Sequence, residues 1–118
     1  MTQLVLERTG TVLADRATFA RSPWSRMRGL LGRSGLAEGE AMVFERSASI
    51  HTLGMRFPID AVFIDQDWRV VCLKPDLGPG KLVLPVPGGW GTIELAAGSA
   101  ARHGVQIGDQ IRALASWK

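Results

Sequence analysis

The sequence predicts a small, mainly β (α+β) fold: a single-domain β-barrel or sandwich spanning residues 1–118, with one packed N-terminal-half helix and one short C-terminal-half helix. Three observations lead there. Short apolar runs rich in β-branched and aromatic residues recur along the chain between turn signals. Only one segment of the first half carries apolar residues at sustained helical spacing. The 118 residues, 46% of them hydrophobic, suit one core rather than two, since domains run to about 100–150 residues.

In chain order, an apolar run bounded by Leu4 and Glu7, Gly10, and a loosely alternating run from Val12 to Phe19 read as a β-hairpin. Ser22-Pro23 then supplies an N-cap followed by proline at the first helical position. Trp24, Met27, Leu30 and Leu31 fall on one face of the helix that follows, with Gly32 or Gly35 as its C-cap. Ala41-Met42-Val43-Phe44 and Ala61-Val62-Phe63-Ile64 are short apolar runs that read as buried strands. Asp65-Gln66-Asp67 is a polar turn, and the residues from Trp68 to Leu73 return from it as the second strand of a hairpin.

Four of the six prolines and five of the fourteen glycines lie between Pro75 and Gly91. This predicts a long loop, broken by a short strand at Leu82 to Leu84, whose residues 76–90 serve as a mobile cover. Thr92 to Leu95 reads as a strand, Gly98-Ser99 opens a short helix that Gly104 closes, and Gln110 to Leu114 forms the last strand. Nothing in this order calls for parallel βαβ units.

Composition excludes several classes. The apolar content is that of a folded chain. No apolar tract of about 20 residues can cross a membrane as a helix, and the first residues lack the order of regions of a signal peptide, so a cytoplasmic protein without a membrane partner is expected. Cys72 is the only cysteine, which leaves no intrachain disulfide and no cysteine cage for a metal. Cys72 itself reads as a core residue of its strand. The formal net charge is +3. Its one basic cluster is Arg16, Arg21, Arg26, Arg28 and Arg33, which has few aromatics beside it for base stacking and reads first as a solvated helix face.

The segment from Ile50 to Asp60 holds the main chemistry: an imidazole (His51), a guanidinium (Arg56) and a carboxylate (Asp60) leading into a buried strand. A carboxylate beside an apolar run must be satisfied by Arg56, by His51 or by backbone N–H groups, because unpaired burial is too costly. Asp60 then either orders the turn after Pro58 or serves a proton-transfer or ligand-gripping pair. Glu94 lies on the opposite strand face from Ile93 and Leu95, as a solvent-facing or helix-terminus residue or as a site residue. Trp90 and Lys81 sit in the Pro/Gly-rich loop. His51, His103, Asp60 and Glu94 lack short metal-ligand spacing, and no metal is expected. Gly78-Pro79-Gly80-Lys81 resembles part of a phosphate loop but lacks the following Ser or Thr, and no nucleotide or hydrolase signature is present, so no cofactor is expected.

Several pieces occur together in order: Arg26 to Arg33, Ala41 to Phe44, Pro58 to Asp65, Thr92 to Gly98, and Gly108-Asp109. In this the chain resembles the domain of unknown function 192 family over nearly everything after Ala17. The resemblance implies a compact, mainly β fold with the helix of residues 22–33 packed against it, and implies no activity. Many members carry Trp-Met-x-Asn-Thr where this chain has His51-Thr52-Leu53-Gly54-Met55. Asp60 is left as the best matched polar position.

The reading that follows is a binding or accessory module for a small ligand or a peptide, with His51, Arg56, Asp60, Trp90 and Glu94 as candidate site residues. One alternative is a hydrolase-like or isomerase-like enzyme using His51 and Asp60 with Arg56 as an anion anchor. Another is weak nucleic-acid binding through the arginine-rich helix. A pocket joining His51, Asp60 and Glu94 would favour chemistry, and a flat apolar patch around Trp90 would favour a partner.

Overall fold

The structure, a computed structural model, describes residues 2–20 and 33–115. The helix expected over residues 22–33 lies, except for Arg33, outside the described residues. The described elements are β1 (Thr2–Leu6), β2 (Val12–Phe19), β3 (Glu40–Phe44), β4 (Ile50–His51), β5 (Ile59–Ile64), β6 (Val70–Leu77), β7 (Leu82–Val83), β8 (Gly91–Ala96), α1 (Ser99–Arg102) and β9 (Ile111–Ala115). Seven strands form one sheet in the order β6-β5-β8-β3-β2-β1-β9, and β4 pairs with β7 as a separate ribbon.

The predicted hairpins form: β1 with β2, turning at Gly10, and β5 with β6, turning at Asp65 to Trp68. The second turn is an Asx turn, in which Asp65 Oδ1 accepts the N–H groups of Asp67 and Arg69, each at 2.9 Å. The β2–β3 pair is parallel, so the sheet is mixed. A parallel neighbour needs a crossover of a dozen or more residues, which residues 20–39 supply.

The sheet curls until its two edges meet at one end. Val70 N–H donates to the Asp109 carbonyl at 2.9 Å and Ile111 N–H to the Trp68 carbonyl at 3.0 Å. The result is a half-barrel.

All six residues of β5 are buried. Successive strand side chains point to opposite faces, and here both faces are covered. Val62 and Ile64 join Leu4, Leu6, Leu13, Ile93 and Leu95 in one core. Ile59, Ala61 and Phe63 join Met42, Phe44, Ile50 and Phe57 in the other. A central strand covered on both sides must be apolar nearly throughout, which is why it reads as a continuous run rather than an alternating one. Each fully buried aliphatic or aromatic side chain contributes about 1.5–3 kcal/mol.

Two expectations need correction. β6 continues through Pro75 to Leu77, where the proline density suggested a loop. It is an edge strand of the sheet, where a missing N–H costs no ladder bond. Cys72, expected in the core, is only half-buried.

Beside the point where the edges meet, the Asp109 side chain ties the approach to β9 to the β1–β2 turn. Its buried carboxylate accepts Arg8 Nε at 2.7 Å, Arg8 Nη2 at 3.0 Å and Gln106 N–H at 2.8 Å. The Arg8 hydrogen bond, opposed by burial and helped by Gln106, holds this carboxyl below its ordinary range. A carboxyl depressed in the folded state adds stability that is present above its unfolded pKa, about 3.9, and lost as pH falls through the folded value. Thermal unfolding followed from neutral pH to below about pH 4 should show the midpoint falling. Arg8→Gln should flatten that fall, separating Asp109 from Glu38 and Glu40, whose carboxyls are also lowered. An acid limb with the same slope in Arg8→Gln would remove Asp109 from the account.

Candidate functional site

Asp60 stands opposite Leu95 and Ala61 opposite Glu94 in the β5–β8 ladder. Residues directly opposite share a face. Asp60 therefore faces the core that contains Leu95, and Glu94 faces the other. The two carboxylates lie on opposite sides of the sheet and cannot line one pocket.

The Asp60 side chain is fully buried, and every hydrogen bond it makes is to backbone. Oδ1 accepts the N–H of Asp76 at 2.8 Å and of Gly98 at 3.1 Å, and Oδ2 accepts the N–H of Ala100 at 2.9 Å. The N-cap of α1 is Gly98, which sits at φ 88 and has no side chain with which to cap the helix. Asp60 performs that capping from a neighbouring strand, satisfying the first amides of the helix. The same carboxylate fixes Asp76, held at φ 50 near the end of β6. It thus orders α1 and the β6 bend rather than the turn after Pro58. Neither His51 nor Arg56 bonds to it; both are exposed. With both oxygens engaged by amides, Asp60 offers His51 no partner for proton transfer.

Glu94 is 3% exposed, so the solvent-facing expectation is corrected. β8 lies between β5 and β3, and its second face is as covered as its first.

Thr52, which the sequence reading did not single out, is fully buried and ties the Pro/Gly-rich segment to β4. Its hydroxyl donates to the Gly78 carbonyl at 2.7 Å and accepts Lys81 N–H at 2.8 Å. Its backbone N–H donates to the Lys81 carbonyl at 2.8 Å and its carbonyl accepts Gly80 N–H at 2.9 Å. The amides of Gly80 and Lys81, which a phosphate loop would turn towards an anion, are spent on Thr52. Farther along, Val86 N–H reaches the Ala48 carbonyl at 3.1 Å. The expected cover is a wall tethered at these points.

Behind that wall lies an open groove of about 540 Å³, formed by Cys72, Lys74 and Leu77 of β6 and by residues 81–87. Leu82 and Leu84 on its rim are 67% and 71% exposed. Its charged lining residues among those described are Lys74 and Lys81. Trp90 is not part of it. The indole is half-buried and lines a separate pocket of about 440 Å³ with Phe19, Ala20, Glu45 and Arg46.

Of the arginine cluster, Arg16 pairs with Asp15 at 3.3 Å and Arg33 with Glu40 at 2.7 Å; Arg21, Arg26 and Arg28 lie outside the described residues. His103 Nε2 lies 3.1 Å from Glu38, which Arg102 also binds. Burial raises the Glu38 carboxyl, and the His103 and Arg102 hydrogen bonds outweigh it to hold the group below its ordinary value. Among the described residues no three His, Cys, Asp or Glu side chains gather as a metal site, and no helix is long and apolar enough to cross a membrane.

The mainly β half-barrel agrees with the fold implied by the family that the sequence motifs suggested. The model of that family, described as an uncharacterized ACR, matches residues 4–113. The chain belongs to the domain of unknown function 192 family. No curated protein matches it significantly. A protein of unknown function from Novosphingobium aromaticivorans is similar in structure, with 26% identity, a TM-score of 0.78, and coverage of 94% of this chain and 82% of that one. A protein described as a candidate transcription regulator from Sinorhizobium meliloti is 22% identical with a TM-score of 0.78, covering 95% of this chain and 91% of that one. At that identity the likeness concerns the fold. Membership of the domain of unknown function 192 family gives the chain a family fold, and the family's description names no activity.

Proposed function

We propose that this chain is a binding module that holds a small ligand with an apolar body and an anionic end in the groove between β6 and residues 81–87. One observation carries the reading: the groove presents exposed leucines beside two cations, with no acid among its described lining residues. Apolar side chains left open on a concave surface gain from covering, and a few placed polar groups fix orientation. Lys74 and Lys81 favour a negative end, and the leucine and proline wall favours an apolar body.

The apolar anion 8-anilinonaphthalene-1-sulfonate tests this by fluorescence titration. A saturable rise that octanoate competes away is the expected result. The double variant Lys74→Glu/Lys81→Glu should weaken binding about tenfold or more. A rise that does not saturate, or a double variant that binds as the parent does, would overturn the reading.

A further inference from the structure

The pocket beside Trp90 is separate from the groove, and three chain segments meet there: the end of β2, the turn after β3 and the residues before β8. The first and the last are fixed by backbone hydrogen bonds. Ala20 N–H donates to the Val43 carbonyl at 2.9 Å, and Trp90 N–H to the Ile64 carbonyl at 2.7 Å. Glycines on both sides of Trp90 set its approach. A Cβ at Gly89 would lie 2.8 Å from the Ala48 Cβ, and one at Gly91 would lie 3.1 Å from the Phe44 carbonyl oxygen. A side chain at Gly89 would force a shift and one at Gly91 would crowd the Phe44 carbonyl, so the two glycines let the chain pass close to the 44–48 segment with Trp90 beside Glu45 and Arg46. Phe19 is braced in turn by Trp68, with ring centroids 6.1 Å apart. The backbone at Ala20 and Trp90 and the Phe19 ring are therefore held in place, which lowers part of the cost of ordering on binding.

Among the described residues the pocket lining combines two aromatic rings with one charge of each sign. Glu45 and Arg46 are exposed, and among the described residues neither side chain forms a hydrogen bond or an ion pair. Arg46 also holds φ 60, a conformation that favours glycine. An arginine kept there at a conformational cost points to a use for its side chain.

We propose that this pocket binds a small zwitterion, an amino acid or N-methylated amino acid, with its cationic end against the Trp90 indole and the Glu45 carboxylate and its anionic end on the Arg46 guanidinium. Aromatic faces attract ammonium groups, and a guanidinium offers paired donors to a carboxylate. A purely apolar ligand would strip water from both charges without replacing it, and a singly charged one would leave one of them unanswered.

Calorimetric titration of the full chain tests this, with glycine betaine and L-leucine as zwitterions and tetramethylammonium and acetate as half-ligands. At least one zwitterion should bind about tenfold or more tightly than either half-ligand. Arg46→Gly suits the backbone, so its melting temperature should match or exceed the parent's, and it should weaken zwitterion binding about tenfold while leaving tetramethylammonium unchanged. Glu45→Gln should weaken tetramethylammonium and zwitterion alike. Zwitterions that bind no better than the half-ligands, or an Arg46→Gly protein that binds them as the parent does, would overturn the proposal.

Discussion

Asp60→Asn should destabilise the protein by about 3 kcal/mol, and Asp60→Ala by more. Hydrogen bonds to a charged acceptor contribute roughly 1.5–3 kcal/mol each, and a buried donor left without an acceptor costs about 1–3 kcal/mol. The Asp60 carboxylate receives three such donors, from Asp76, Gly98 and Ala100. An asparagine oxygen can keep those on one side only. Its NH2 group turns a donor towards a donor on the other side, and the charge that favours the start of α1 is gone. Alanine leaves all three amides without their acceptor. Against a typical total of about 5–15 kcal/mol, either loss is plain in urea unfolding. Amide exchange should locate the damage, with Asp76, Gly98 and Ala100 accelerated more than Val62 and Phe63. An Asp60→Asn protein with an unchanged unfolding midpoint would show that the carboxylate is dispensable to the fold and return the segment from His51 to Asp60 to functional use.

What could be read of Asp60 from the sequence, and what could not, follows from distance along the chain. An acid directly before Ala61-Val62-Phe63-Ile64 had to be satisfied, and backbone amides were among the possible donors. Which amides was not legible, because they lie 16, 38 and 40 residues away. The strands with unbroken apolar runs were legible because a strand covered on both faces writes that fact locally. Pro75 misled for the opposite reason: proline ends a central strand but is tolerated at an edge, and edge position is a property of the assembled sheet. The Pro/Gly density pointed to a mobile cover, and the tethers to Thr52 and Ala48 that make residues 81–87 a wall of the groove come from segments distant in sequence. The other wall, Cys72, Lys74 and Leu77, comes from a strand whose own pattern says nothing about what lies across from it. Glu94 looked solvent-facing because alternation suggests one wet face, and β8 has none.

Thr52→Val should cost about 2 kcal/mol and loosen one wall of the groove. Valine matches threonine in shape, so packing is retained and the hydroxyl alone is removed. That hydroxyl serves the Gly78 carbonyl and the Lys81 N–H at once, and its loss leaves a partly buried acceptor and a partly buried donor unsatisfied, at about 1–3 kcal/mol each before water re-enters. The ribbon it supports is slight: β4 and β7 pair only through Ile50 with Val83 and His51 with Leu82. A two-stranded ribbon has little stability of its own. The change should therefore appear as local opening, with faster amide exchange at Gly80, Lys81 and Val83 while β5 stays protected. Val86, tied separately to Ala48, should change less. Because Leu82 and Leu84 sit on the loosened wall, 8-anilinonaphthalene-1-sulfonate should bind more weakly although both lysines remain. Exchange at Gly80 and Lys81 equal to the parent's would mean that the backbone bonds of Thr52 suffice and that its hydroxyl is not the tether.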